Sequence, residues 1–208
     1  MVALYGKYKS KKFTVFKEKL FNKYTLDGYY TSMKIIYRDI LYNWTACWKI
    51  AGIVGILIIV INKKINHTIK QDKSYGLLLF LDGVFLYYLL HVTLLSRQIG
   101  FRREIVLLPF SGVDILSGDF HYVIENILLF IPFGILLYAT LCVYGKKCDI
   151  KMVLLTSFLT SLSVETIQYI FSCGESETDD IITNVLGAVI GYMLVKLKIY
   201  VTEKRTFN

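Results

Sequence analysis

The sequence contains little of what a soluble enzyme or a metalloprotein needs. Charged residues make up 19% of the 208 residues, and there are only two prolines, three histidines and four cysteines. Neither the histidines nor the cysteines show a metal-ligand spacing. No nucleophile elbow and no phosphate-binding glycine loop is present. The sequence therefore predicts no metal site and no cofactor, and it favours a protein that is not an enzyme.

Apolar residues, in contrast, are abundant and lie in long blocks. Hydrophobic residues make up 55% of the chain, and the mean hydropathy is +0.51. This exceeds what a soluble domain of this size can bury, and a bilayer crossing takes about 20 apolar residues. We predict an all-α, polytopic integral membrane helical bundle with about five apolar segments. These are residues 48–62, 75–95, 121–144, 152–171 and 181–201.

The net charge of +8 lies mainly in the connections and in the N-terminal arm. This distribution favours contact with anionic membrane lipid over binding to nucleic acid. We divide the chain into a basic arm (residues 1–46), a membrane domain (residues 47–202) and a C-terminal tail (residues 203–208). The arm is either a helix lying on the membrane surface or a solvated charged segment.

The connections predict an orientation. Lys146, Lys147 and Lys151 follow the third segment, and further basic residues follow the fifth, so this link and the C-terminus should be cytoplasmic. The acidic link 172–180 would then lie outside. Five crossings would also put the basic arm outside, against the same rule. Either the short first segment is re-entrant or interfacial, which we prefer, or the arm does lie outside.

The fourth segment carries a polar stripe. Ser161, Glu165 and Gln168 follow at spacings of four and three, so a helix puts them on one side. An intramembrane carboxylate costs roughly 2.5–3.5 kcal/mol, and Glu165 should therefore face the protein interior and have a partner there. Two interpretations stay open, a ligand or proton-handling pair and a buried hydrogen-bonded pair.

The fifth segment carries a second stripe, formed by Asp180, Asn184, Gly187 and Gly191. Asp180 and Asn184 could bind a ligand or could cap the N-terminus of the helix. The two glycines form a G-x-x-x-G motif, which allows close helix packing. Packing within the chain is the preferred interpretation, and a homo-oligomer through Gly187 and Gly191 is the alternative.

Polar residues from several segments should share one layer. With a rise of 1.5 Å per residue, Gln168 and Glu165 lie about 5 and 9 Å below the outer end of their segment, and Asn126 and Asn184 lie at similar depths. Such a layer is either structural, held by interhelical hydrogen bonds, or the floor of a pocket. Asp82 lies deeper, and we expect it to pair with a backbone group or with His91.

Three motifs carry a family resemblance: residues 126–134 (NILLFIPFG), residues 163–168 (SVETIQ) and residues 180–192, with DIITNVLG at the start. They resemble the successive motifs of the VanZ-like family, and residues 107–110 (LLPF) resemble its outer N-L-x-P-F segment. The resemblance is best over residues 75–196. It implies a small bacterial plasma-membrane protein linked to resistance to teicoplanin-type glycopeptides.

The candidate ligand-binding residues are Asn126, Glu165, Gln168, Asp180 and Asn184, which lie in the shared layer or beside it and also belong to these motifs. Many relatives have an arginine in the acidic loop, which this sequence lacks. Arg97, Arg102 or Arg103 would have to supply any anion contact, and Arg97 is the residue we select.

Two hypotheses about function follow. In the first, the chain binds a glycopeptide or a polyprenyl-linked wall precursor at an outward-facing pocket. In the second, it is a membrane enzyme that modifies lipid-linked wall material with Glu165 or Asp180 as general base. A transporter is a distant third, because the sequence contains no internal repeat.

Overall fold

The computed structural model describes residues 23–65, 73–100, 102–110 and 120–206. Within these ranges the chain forms five α-helices, one π-helical turn and two short strands. The predicted all-α class is confirmed, and the strands are an addition to it. The helices are α1 (Lys23–Ile65), α2 (Lys73–Leu90), α3 (His121–Val143), α4 (Ile150–Phe171) and α5 (Thr178–Thr206); the π-helix (His91–Leu95) continues α2, and the strands are β1 (Arg102–Val106) and β2 (Cys173–Glu177).

Four helical segments are long and apolar enough to cross a membrane: α2 with its π-helical turn, α3, α4 and α5. α1 bends by 54° between Tyr30–Thr45 and Cys47–Ile61, and it is a fifth span if both halves are counted as one. Large apolar side chains such as Leu77 and Leu197 are more than half exposed, as expected for helices that face lipid. The protein is therefore an integral membrane protein.

α3 and α5 pack closely along a contact that we call the α3–α5 seam, formed by Gly134 on α3 and by Gly187, Ala188 and Gly191 on α5. A Cβ at Gly187 or Gly191 would collide with a backbone carbonyl of α3, and one at Gly134 would collide with the carbonyl of Ala188. The backbones can approach this closely only because the seam lacks larger side chains. Gly187 and Gly191 thus pack against α3 within the same chain. Self-association through them stays a prediction.

α1 runs antiparallel to α2. Trp44 contacts Tyr88 edge to face, with ring centroids 6.0 Å apart, and Gly55 lies against Phe80 and Gly83 further along both helices. The half of α1 that contains Asp39 therefore lies at the end of the bundle where α2 ends. Residues 1–22 of the predicted basic arm lie outside the described part of the chain, and its residues 23–46 belong to α1.

The two strands form a parallel pair at the same end. Arg102 pairs with Cys173, and the register continues to Val106 with Glu177. The N–H of Gly100 also donates to the carbonyl of Phe171 at 3.2 Å. We expected residues 172–180 to be a loop, and this was wrong: β2 and the first turn of α5 occupy them. The sequence CGESE of β2 has no apolar alternation, so pairing with a distant segment, rather than its own pattern, makes it a strand.

Candidate functional site

Five of the six predicted site residues meet at the end of the bundle where α2 and α4 end and α3 and α5 begin. Gln168 and Glu165 on α4 and Asn184 on α5 are 2–4% exposed, and Asn126 and Asp180 contact each other beside them. Ser161, from the same stripe as Glu165, is fully buried. We call this group, together with Arg97, the polar layer. The stripe predicted for the fourth segment is confirmed.

Asn126 and Asp180 join α3 to α5. The Asn126 Nδ2 donates to Oδ1 of Asp180 at 2.7 Å. Asp180 lies in the first turn of α5, where the partial positive charge of the helix end favours a carboxylate. Its neighbour Asp179 accepts a hydrogen bond from the N–H of Phe110 at 2.7 Å. The first turn of α5 is thereby held to both α3 and the segment after β1.

Glu165 has its partner in β2. Its Oε2 accepts a hydrogen bond from the N–H of Glu177 at 3.0 Å, and the Ser176 hydroxyl donates to its backbone carbonyl at 3.4 Å. The carboxylate also interacts electrostatically with Asp180 and with Arg97. The expected buried partner of Glu165 is therefore a backbone N–H, together with one guanidinium.

Gln168 joins α4 to the π-helical turn. Its Nε2 donates to the carbonyl of Thr93 at 2.8 Å. Thr93 lies in the π-helical turn that ends at Leu95. The backbone carbonyls of a last helical turn have no N–H partner within the helix, and the carbonyl of Thr93 is one of these. Gln168 thus satisfies a helix end. Its Oε1 is buried and has no hydrogen-bond partner among the described residues.

Asn184 joins α5 to α4. Its Nδ2 donates to the Ser161 hydroxyl at 2.9 Å, which rules out the alternative that this side chain caps its own helix. Its Oδ1 is buried and, like that of Gln168, finds no hydrogen-bond donor in the described ranges. The layer therefore contains two buried carboxamide oxygens, Gln168 Oε1 and Asn184 Oδ1, that have no donor in the described part of the chain and can each accept a hydrogen bond.

Arg97 reaches the layer from the end of α2. Its Nη1 lies 2.9 Å from the position of a Cβ at Gly174, so the guanidinium passes directly over the backbone of β2. Arg97 interacts electrostatically with both Glu165 and Asp180. The side chains of Arg102 and Arg103, which we considered as alternatives, lie outside the described part of the structure.

The strand beside the layer is acidic. Burial, the nearby Asp180 and a hydrogen bond with Glu175 raise the pKa of Glu177 to about 7. This carboxyl group is thus partly protonated at neutral pH. Among the described residues, no three His, Cys, Asp or Glu side chains are arranged to hold a metal ion.

A groove next to the layer was not predicted. It has a volume of about 580 Å³ and lies between the first half of α1, α2 and α3; we call it the α1–α3 groove. Its polar end is formed by Asp39, Asn43, Arg97, Glu125 and Asn126, and the remainder is apolar apart from the Tyr88 hydroxyl. Glu125 precedes Asn126 and faces a different side of α3. The rule that singled out Glu165 also applies to this intramembrane carboxylate and could have found it.

The expectation for Asp82 was wrong. Its Oδ2 accepts a hydrogen bond from the Thr140 hydroxyl at 2.7 Å, and not from a backbone group or from His91. α2 and α3 are antiparallel, since the Tyr75 and Tyr144 hydroxyls lie 3.1 Å apart at the start of one and just beyond the end of the other. That arrangement brings residue 140 beside residue 82.

Comparisons with known proteins cover the part of the chain that contains this site. The sequence profile of the VanZ/LLP1 family matches residues 75–199, which contain the whole polar layer. The protein VanZ of Enterococcus faecium is 34% identical over 107 residues, or 51% of this chain and 58% of that protein. The chain thus spans less than two thirds of that relative's length. No solved structure matches. Because the profile covers more than half of the sequence, the chain belongs to the VanZ/LLP1 family.

Proposed function

We propose that this protein lies in the plasma membrane of a bacterium, acts in its cell envelope and lowers sensitivity to teicoplanin-type glycopeptides. It does so by binding the antibiotic or a polyprenyl-linked wall precursor at the polar layer, without catalysing a reaction. Family membership supports the envelope role, and the resemblance of the motifs that form the layer supports the link to glycopeptides.

The observation that carries the binding proposal is the pair of unpartnered acceptor oxygens, Gln168 Oε1 and Asn184 Oδ1. A buried acceptor without a donor costs about 1–3 kcal/mol, and a ligand that supplies N–H groups recovers this cost. Glycopeptides and peptide-bearing wall precursors are rich in amide N–H groups. Arg97, which interacts electrostatically with Glu165 and Asp180, adds a cation to the polar layer for a carboxylate or phosphate of the ligand.

The layer must face outward for this function. The lysines of the link 145–149 and the end of α5 lie at the opposite end of the bundle, and the positive-inside rule puts that end in the cytoplasm. We test this with single cysteines at Ser176 and at Lys147, in a background without the four native cysteines. A membrane-impermeant maleimide should label Ser176→Cys in whole cells and should label Lys147→Cys only after lysis. The reverse pattern would put the layer inside.

The function is tested by teicoplanin susceptibility of a sensitive Gram-positive host. The host expresses the wild type, Glu165→Gln or Glu165→Ala, with membrane levels matched by immunoblot. We expect the wild type and Glu165→Gln to protect, because a carboxamide oxygen still accepts the N–H of Glu177. Glu165→Ala should fail. Absence of protection by the wild type would exclude the proposed role.

The enzyme alternative rests on one observation, the electrostatic interaction between the carboxylates of Glu165 and Asp180. Paired carboxylates suit general acid and base catalysis. Loss of protection in both Glu165→Gln and Glu165→Ala would favour this alternative, because Gln keeps the hydrogen bond but cannot take a proton. Protection by Glu165→Gln would exclude Glu165 as general base.

A further inference from the structure

The α1–α3 groove has the shape of a site for one lipid chain. Its floor is α2, and its walls are the first half of α1 and α3. From Glu125 to Leu136 the α3 wall is about 16 Å long, at 1.5 Å per residue. The hydrocarbon core of a bilayer is about 30 Å thick, so the groove has the depth of one leaflet. Its volume of about 580 Å³ lies within the ordinary range for small-molecule sites.

The polar end of the groove has an unused acceptor. Oε1 of Glu125 is inaccessible to solvent and has no hydrogen-bond partner among the described residues. The carboxylate of Asp39 lies close enough to interact with it electrostatically. A buried carboxylate oxygen without a donor is costly, and a ligand with N–H donors on a cation removes that cost most effectively.

The charges around this end favour a cation over an anion. Asp39 and Glu125 line this end, and the guanidiniums of Arg97 and Arg38 lie near them. Arg97 interacts with Glu165 and Asp180, and Arg38 forms a 2.9 Å ion pair with Asp39. Among the described residues, Glu125 is thus left without an ion pair. A phosphate alone would compete with carboxylates for Arg97, whereas an ammonium group can pair with Glu125.

Aromatic side chains complete the polar end. Trp44 and Tyr88 line the groove next to Asp39 and Asn43, in edge-to-face contact with ring centroids 6.0 Å apart. Aromatic faces attract cations, and a primary ammonium can both lie against a ring and donate to a carboxylate.

We propose that the α1–α3 groove binds a membrane lipid with a primary ammonium in its headgroup. The ammonium donates to Glu125 and Asp39, the lipid phosphate lies towards Arg97, and one acyl chain follows Leu129, Pro132 and Leu136. This site goes beyond the polar layer and its proposed ligand, because Glu125 and Asp39, which bind the ammonium, are not part of that layer; Arg97 and Asn126 border both.

Trp44 is a built-in reporter of the groove. The chain has two tryptophans, and Trp48→Phe leaves Trp44 alone. We reconstitute this full-length variant into phosphatidylcholine nanodiscs with increasing mole fractions of phosphatidylethanolamine or phosphatidylglycerol, each with the same brominated acyl chains. Quenching of Trp44 should occur at about three- to tenfold lower mole fraction with phosphatidylethanolamine, as expected from the net contribution of about one hydrogen bond. Non-selective contact with bulk lipid would quench equally with both headgroups.

Glu125→Gln in the same background removes the negative charge and should abolish the headgroup selectivity. Glu203→Gln changes an exposed carboxylate near the end of α5 and should retain it. Equal quenching by both lipids in the Trp48→Phe protein, or a preference for phosphatidylglycerol, overturns the proposal. This outcome does not depend on the Glu125→Gln variant. Selectivity that persists in Glu125→Gln overturns the assignment of the ammonium to this carboxylate.

Discussion

Two sides of α3 meet their neighbours in opposite ways. On one side, the α3–α5 seam brings backbone against backbone through glycines, and Phe130 and Ala188 are fully buried there. On the other side, the α1–α3 groove is held open by large apolar side chains and by Pro132. Both sides are apolar, so hydrophobicity alone does not separate them. Residue size decides which surface closes against a helix and which one leaves room for a ligand.

The largest expected effect is in the seam. Gly134→Ala puts a Cβ against the carbonyl of Ala188, where neither backbone can move aside cheaply. We expect a loss of about 2–3 kcal/mol in the free energy of unfolding, at the upper end of overpacking costs, measured by denaturant titration in detergent. Gly76→Ala is the matched control, because a Cβ there meets nothing within 4 Å. Equal stability of the two variants would contradict the close seam.

A smaller effect is expected where the layer joins the seam. Asn126→Leu removes the 2.7 Å hydrogen bond to Asp180 and leaves a buried carboxylate without this donor, at a cost of about 1–3 kcal/mol. Asn43→Leu in the groove removes only a local bond to the carbonyl of Asp39 and should cost less than about 0.5 kcal/mol. The same titration compares the two. A larger loss in Asn43→Leu would reverse the contrast between the two sides.

The α2–α3 contact should respond still less. Thr140→Val keeps the shape of the side chain and removes its 2.7 Å hydrogen bond to Asp82. Interhelical bonds of this kind average about 0.6 kcal/mol in membrane proteins, so we expect a loss of that order. A double-mutant cycle of Thr140→Val with Asp82→Leu, which removes the acceptor, gives the coupling between the two residues. A coupling of zero would show that this contact does not hold α2 to α3.

The last test measures how the stability of the folded chain depends on pH. The pKa of Glu177 is about 7 in the folded chain and about 4.3 in an unfolded chain. Because the folded state holds the proton more tightly, stability is highest below the unfolded value and is lost as the pH rises through 7. The melting temperature of the wild type should fall between pH 5 and pH 8, and that of Glu177→Gln should fall less. Parallel pH curves would show that another group is responsible.

Much of the fold followed from the sequence, for reasons of length and spacing. The apolar runs of α2 to α5 are so long that membrane-spanning helices are the expected structure. The spacing of Ser161, Glu165 and Gln168 predicted one common face, and this face is the buried side of α4. What could not be predicted depends on contacts between distant residues. Two features depend on how the helices pack, which no local pattern contains. One is Thr140 as the partner of Asp82. The other is the extension of α1 from the predicted start at residue 48 back to Lys23, which puts Asp39 and Asn43 in the groove wall.

The site was predicted in part for the same reason. The rule for intramembrane carboxylates and the motif resemblance identified Asn126, Glu165 and Asp180, but not their partners. The Thr93 carbonyl becomes an acceptor only because a π-helical turn ends α2, and the N–H of Glu177 is available only because β2 forms. Glu125 was not among the predicted site residues, although the rule for intramembrane carboxylates also applies to it.

The pairing of β1 with β2 also has a consequence for the order in which the protein folds. Arg102 and Cys173 are neighbours in the pair, yet two complete membrane helices separate them along the chain. Contacts between residues so far apart in sequence lose the entropy of loop closure before they stabilise the fold. They therefore tend to form late. During synthesis β1 must wait, unpaired, until α3 and α4 have been inserted and β2 has been made. The candidate site is then assembled only after β2 and the first turns of α5 have been made, and a nascent chain that stops before Cys173 contains Asn126, Glu165 and Gln168 but neither Asp180 nor Asn184.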